Sequence, residues 1–195
     1  MAIMKSSQPT PNQTAGPFFH LGITRGGEEI LVDAGQPGRI RIEGRVLDGA
    51  GDPVPDALLE IWQANGHGRY NHPADDRDDL PLDAAFSGHG RCPTDAEGRY
   101  HFETVKPGPV PGLIETQAPH VVLQVFARGM LIHNTTRCYF DDEAANADDA
   151  VLQQHVPSDR RPTLIATRQP DVGGAPSYRF DIVLQGDDET VFFDV

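Results

Sequence analysis

The side chains of this chain that can do chemistry are eight histidines, four tyrosines and two cysteines. Imidazoles with phenols point to a metal centre or to proton transfer, and thiols point to a nucleophile or a disulfide. A metal site built on a strand places ligands two residues apart, because alternate side chains share a face. No His-x-His occurs. His120 opens the apolar stretch HVVLQVFA, and the residue two on is Val122. A lone imidazole there is expected to be a hydrogen-bonded structural group. His67 and His72 lie among acids and glycines, and a surface loop is expected for them. Tyr70, Tyr100, Tyr139 and Tyr178 fall on strands or strand edges, and three of them look like core or interface aromatics. Cys92 and Cys138 form no Cys-x-x-Cys and no disulfide framework, so two reduced thiols are expected. A glycine-rich phosphate cradle and a Gly-x-Ser-x-Gly elbow are both missing. By residue type and spacing alone, the chain assembles no complete active site.

The pattern that must hold these side chains is one of short strands. In residues 39–46, Ile40, Ile42 and Val46 alternate with Arg39, Arg41, Glu43 and Arg45, the period of a half-buried strand. Residues 57–63 are apolar on both faces apart from Glu60, as an inner strand would be. Further strands are predicted over residues 100–105, 121–127, 136–140, 164–167, 178–184 and 191–193. Clusters of Gly, Asp and Ala at 48–51, 95–98 and 186–188 turn the chain. Asp141 and Asp142 are placed to cap a short helix over roughly residues 143–155. Residues 65–93 show little periodicity and predict a long loop that is functional or packed on a partner. Pro9, Pro11 and Pro17 rule out a long helix over residues 1–19 and predict an extended arm. The expected fold is mainly β: an antiparallel β-sandwich with an extended N-terminal arm, long loops and one or two short helices. Residues 1–38 are expected to be arm and lead-in, and residues 39–195 the sandwich domain.

Charge narrows the partners. The 195 residues carry 29 acids against 16 bases, a net charge of −13. Such a field repels nucleic acid and anionic membranes, so neither is expected as a partner. No apolar run reaches the roughly 20 residues of a membrane span, and the N-terminus has no signal-peptide core. A cytoplasmic location is expected.

Several motifs carry a family resemblance that covers nearly the whole chain. GRVLDGAGDPVPDALLEIWQAN at residues 44–65, GRCPTDAEGRYHFETVKPGPVPG at 90–112, APHVVLQVFARG at 118–129 and TRCYFDDE at 136–143 resemble the intradiol ring-cleavage dioxygenases. TPNQTAGPFFHLG at 10–22 and YRFDIVLQGDDETVFFD at 178–194 are similar to the α chain of the two-chain members. The catalysing members hold one Fe(III) with two tyrosines and two histidines, because phenolate oxygens offset the charge of a hard cation. In the motif that carries the histidine ligands, the first falls on His120 and the second on Val122. The assisting arginine falls on Gln117, one tyrosine on Val110, and the other near Asp78. The resemblance therefore implies a degenerate metal position, with no iron bound by this chain and no catalytic residue in it alone.

The resemblance also implies a partnership. The chain would be the iron-free α subunit of an enzyme that opens protocatechuate with O₂ between its two hydroxyl-bearing carbons, giving 3-carboxy-cis,cis-muconate. A homologous β chain would hold the Fe(III), in α–β protomers of a larger oligomer. Thr14, Gly16 and Pro17 match the arm residues that line the shared pocket, or they serve as plain packing of an arm. Arg137 matches an α-chain arginine and would meet either the substrate carboxylate or an interfacial acid. Two rival readings are a self-sufficient catechol-type intradiol dioxygenase and a non-catalytic prealbumin-like binding module. The run over residues 44–55 alone would fit the latter.

Overall fold

The computed structural model describes residues 11–112 and 115–194. Residues 1–10 of the expected arm lie outside the described residues.

Alternating apolar residues make the strands as expected. β1 (Arg39–Leu47) buries Ile40, Ile42 and Val46 and turns its charged residues outward. β2 (Leu58–Trp62), β3 (His89–Pro93), β4 (Arg99–Val105), β7 (His120–Phe126) and β8 (Asn134–Phe140) add their apolar faces to the same core. The short pair β5 (Val110–Pro111) and β6 (Thr116–Gln117) forms a separate ribbon. β9 (Ile165–Val172), β10 (Ala175–Arg179) and β11 (Ile182–Val183) complete the set.

The expected purely antiparallel sheet is not what forms. One nine-stranded mixed sheet runs β4-β1-β10-β9-β8-β7-β2-β3, with β11 also on β1. β1 is parallel to β10 and β11, and β8 is parallel to β9. The cause is connectivity. The chain leaves β8 through a helical crossover and returns in the same direction, and its last strands then lie beside the first. The edge strands β4 and β3 come close to closing the sheet. Residues 28–31 bridge them: Leu31 N–H donates to Glu103 O at 2.8 Å, Glu103 N–H to Glu29 O at 2.9 Å, and Arg91 N–H to Glu28 O at 3.1 Å. Gly44 allows the sheet to pack this tightly, since a Cβ there would lie 1.9 Å from Phe180 O.

Other expectations are corrected locally. The arm, expected to be extended over residues 1–19, is irregular over residues 11–16, and a helical turn not foreseen, α1 (Phe19–Ile23), begins at its end. The helix expected near 143–155 splits into a 3₁₀ turn (Ala144–Ala147) and a single π-type turn (Val151–His155), and another 3₁₀ turn spans Arg161–Leu164. The described residues thus hold four short helical segments rather than one or two. The reason is side-chain competition. The Asp149 carboxylate accepts from Leu152 N–H at 2.9 Å, which caps the start of the second turn, and from Ala118 N–H at 2.8 Å, which ties that start to the sheet and separates it from the first turn. Asp141 and Asp142 do not cap it. Asp141 accepts from Arg168 N–H at 3.0 Å, and Asp142 from Lys106 at 2.8 Å and Tyr178 at 2.9 Å. β3 emerges from the end of the expected long loop, because Gly90 lies tight against Glu28 O and leaves little apolar signal.

The crossover builds a second, smaller core. Tyr139, Leu152, Val156 and Leu164 pack there with Ala118, against partly buried Val191 and Phe193. It covers the outer face of β8, which bears the candidate site. Among the described residues, no helix is long and apolar enough to cross a membrane.

Candidate functional site

Strand geometry gathers the sequence-predicted metal positions. His120 pairs with Tyr139 and Val122 with Arg137 across β7 and β8, and Val122 also pairs with Trp62 of β2. Residues two apart share a face, so these side chains line one surface. The β5–β6 ribbon brings Val110 opposite Gln117 at its rim.

Arg137 sits at the centre of this cluster. Its Nη1 donates to Gln117 Oε1 at 2.9 Å and to Tyr139 Oη at 3.3 Å. Its guanidinium carbon lies 5.7 Å from the Phe193 ring centroid, a cation–π contact made by the C-terminal segment. Tyr139 Oη donates in turn to Asp149 Oδ1 at 3.3 Å. Asp149 is fully buried and also receives two backbone N–H groups, so its charge is satisfied inside the protein. His120 is 5% exposed, and its Nδ1 lies 2.7 Å from Ala118 O. Burial, reinforced by the Arg137 charge, pushes its pKa down to about 4. Burial pushes the Tyr139 phenol up to about 12.

The loop residue facing this cluster is Tyr70. It stacks on Trp62 with centroids 5.7 Å apart. Burial raises its pKa, and the nearby Arg137 charge pulls the other way. Asp78 is exposed in the same loop.

The donor set does not fit a ferric ion. One neutral imidazole remains, with one of its nitrogens against a carbonyl. Valines stand at two ligand positions, and a guanidinium already occupies the centre. Two cations a few ångströms apart in a half-buried setting repel strongly. Among the described residues no group of three or more His, Cys, Asp or Glu side chains is placed to hold a metal. Cys92 and Cys138 are free and buried, and burial raises both thiol pKa values, so they are poor nucleophiles.

The arm lies elsewhere, against the turn between β7 and β8. Gly129 N–H donates to Thr14 Oγ1 at 2.8 Å. Phe19 packs on Phe126 with centroids 5.8 Å apart, and Phe126 on His133 at 5.2 Å. A groove of roughly 580 Å³ runs between residues 11–16 and residues 126–133. Gly16 and Pro17 are exposed, and a Cβ on Gly16 would meet nothing within 4 Å. Its lack of a side chain is therefore not required by packing inside this chain.

Thr14, Gly16 and Pro17 thus come together, but Arg137 does not join them. The cation on the arm's turn is Arg128, directly before Gly129, whose φ of +86° makes the turn. Its side chain is 59% exposed. Sequence reasoning passed over Arg128, although a cation at the end of a predicted strand beside a turn glycine was a usable signal. Asp149 gave no comparable signal, since it lies in an acidic run, and Tyr70, expected on a strand or strand edge, lies instead in the loop between β2 and β3, where no periodicity marks it.

Comparison with known proteins fits this geometry. A family model described as "Dioxygenase" matches residues 15–186. The protocatechuate 3,4-dioxygenase alpha chain of Burkholderia cepacia is 43% identical over 205 residues, covering 98% of this chain and 100% of that one. The beta chain of the same organism's enzyme is 43% identical over 158 residues, covering 78% of this chain and 66% of that one. Catechol 1,2-dioxygenase from Pseudomonas arvilla C-1 superposes with a TM-score of 0.61 at 24% identity, covering 80% of this chain and 55% of that one, which is a likeness of fold.

Proposed function

The chain belongs to the dioxygenase family, and from that premise we propose that it is the iron-free α subunit of an enzyme that cleaves protocatechuate. A homologous β chain binds the Fe(III), the catechol hydroxyls and O₂, and the ring opens there to 3-carboxy-cis,cis-muconate. The α–β protomers assemble into a larger oligomer. The observation that carries this reading is Arg137. Its guanidinium, bonded to Gln117 and Tyr139, stands among the positions the family resemblance assigns to iron.

This chain contributes the second wall of the pocket. Residues 1–38 form the arm and lead-in that meet the β chain, and residues 39–195 form the domain. Thr14 is fixed by Gly129, so Gly16 and Pro17 are presented on a held segment. Bare Gly16 lets a flat ring approach the backbone, and Pro17 adds a stiff apolar edge that excludes water. A carboxylate on the ring needs an accessible cation in a chain of net charge −13. Arg137 meets that need, since only its Nη1 is bonded within the chain, and Arg128, paired with Asp56 on the arm's turn, is a second exposed cation. A fork of N–H donors suits a carboxylate. The assembly works in the cytoplasm, in keeping with two unpaired thiols.

The test is metal content and ring cleavage of this chain with and without the β chain. The expected result is negligible iron and no cleavage alone, and both in the complex. One tightly held iron per isolated chain, with cleavage, sinks the proposal.

A further inference from the structure

We propose that the groove between residues 24–29 and the outer face of β1 and β4 is a separate ligand site, one that takes a small carboxylate with an apolar body. The groove measures roughly 620 Å³, the size of a small-molecule site. Arg45, Arg99 and Arg179 line it, together with Cys92, Pro93 and Tyr100. It shares no lining residue with the groove at the arm or with the cluster around Arg137.

Strand register sets out the charges. Arg45 stands directly opposite Arg99 across β1 and β4, and Glu43 lies between His101 of β4 and Arg179 of β10. Like charges in directly opposed positions weaken a sheet. A chain with 29 acids and 16 bases nonetheless opposes two of its scarcer cations here. Each of the groove's five acids already accepts hydrogen bonds from the chain. Asp181 accepts from Arg45 N–H at 3.0 Å and from Arg179 Nε and Nη2 at 2.9 and 2.7 Å. Asp95 accepts from the N–H and the Nε of Arg99, both at 2.9 Å. Glu28 accepts from Arg25 and Gly26 N–H, Glu29 from Gly27 N–H, and Glu43 from Arg41 Nε. What remains unspent among the described residues is donors. The Arg45 side chain makes no hydrogen bond or ion pair, and Nη1 of Arg99 and of Arg179 is unbonded. Forked N–H donors without an acceptor suit a carboxylate. The apolar wall comes from the floor. Tyr100 gives its hydroxyl to Phe180 O and Cys92 its thiol to Pro93 O, so both spend their polar atoms inside the chain.

Calorimetric titration of the full chain tests this. The probes are benzoate, its uncharged counterpart benzamide, and inorganic phosphate, an anion without an apolar body. Benzoate binds more tightly than either. Arg45→Gln lowers its affinity about tenfold, the scale of one lost charge-assisted hydrogen bond. Arg99→Gln lowers it as well. Benzoate that fails to bind the native chain overturns the inference. Binding that survives Arg45→Gln undiminished lies elsewhere and overturns it too. Phosphate bound as tightly as benzoate marks a solvated basic face that takes any anion, which likewise overturns it. Arg45→Lys keeps the charge but loses the fork of donors. It lowers the affinity as well, and it serves if Arg45→Gln does not fold.

Discussion

Arg128 and Arg137 sit nine residues apart in one hairpin and stand in opposite settings. Arg137 points into a half-buried cluster where Gln117 and Tyr139 accept from its Nη1 and the Phe193 ring lies beside the guanidinium. Arg128 stands on a turn, half in solvent, with a carboxylate at its Nε edge and the arm alongside. The same side chain has neutral partners in one place and a buried carboxylate in the other. The difference matters because, among the described residues, an acid offsets the charge of Arg128 and none is paired with Arg137.

The sharpest way to break this contrast is to unseat the cluster around Arg137. Asp149→Ala leaves two backbone N–H groups and the Tyr139 hydroxyl buried without an acceptor. It is expected to cost about 3–5 kcal/mol in a denaturant titration. A loss under about 1 kcal/mol would show the cluster to be loosely held.

Acid should act on the same region. The His120 pKa falls from 6.5 in the unfolded chain to about 4 in the folded one, so the unfolded chain binds more protons between those values. Stability from this group is fully present above about pH 6.5 and is lost as pH falls towards about 4, a change of roughly 3 kcal/mol. The excess acid sensitivity over a His120→Gln variant measures it, and equal pH profiles would refute it.

Arg137→Met removes the cation and leaves Gln117 without its partner, at about 1–2 kcal/mol. It also raises the His120 pKa, moving the acid transition to higher pH. In the assembled complex this variant is expected to lose preference for protocatechuate over catechol, and an unchanged preference would mark Arg137 as an interfacial group instead. The smallest effect is expected at the arm. Thr14→Val removes one exposed hydrogen bond, worth about 0.5–1 kcal/mol, and should be seen as faster proteolysis of the N-terminal segment at unchanged melting temperature.

Much of the fold was legible in the residues. The alternation in β1, β4 and β7 marks the strands, since one buried face forces a period of two. Val122 and Val110 leave no donor at two positions that the family resemblance assigns to metal ligands, because no valine side chain can donate to a cation. Strand direction was not legible: β9 and β10 show the same alternation whether they run parallel or antiparallel. Nor was the broken helix at 144–155, where the deciding Asp149 bonds to residues up to 31 positions away. The contacts of Arg137 were hidden for the same reason, as its partners come from three separate segments.

The sequence by itself determined a β-rich chain of high negative charge, its family, and the absence of ligand-type residues at the degenerate positions, because each of these depends on residue type at a given position. Only the tertiary structure decided that the sheet is mixed and nearly closed by residues 28–31. It alone placed Asp149 against Tyr139, and the Gly129 turn beside Thr14. Those outcomes depend on which distant groups meet, and no residue carries a mark of that in its own position along the chain.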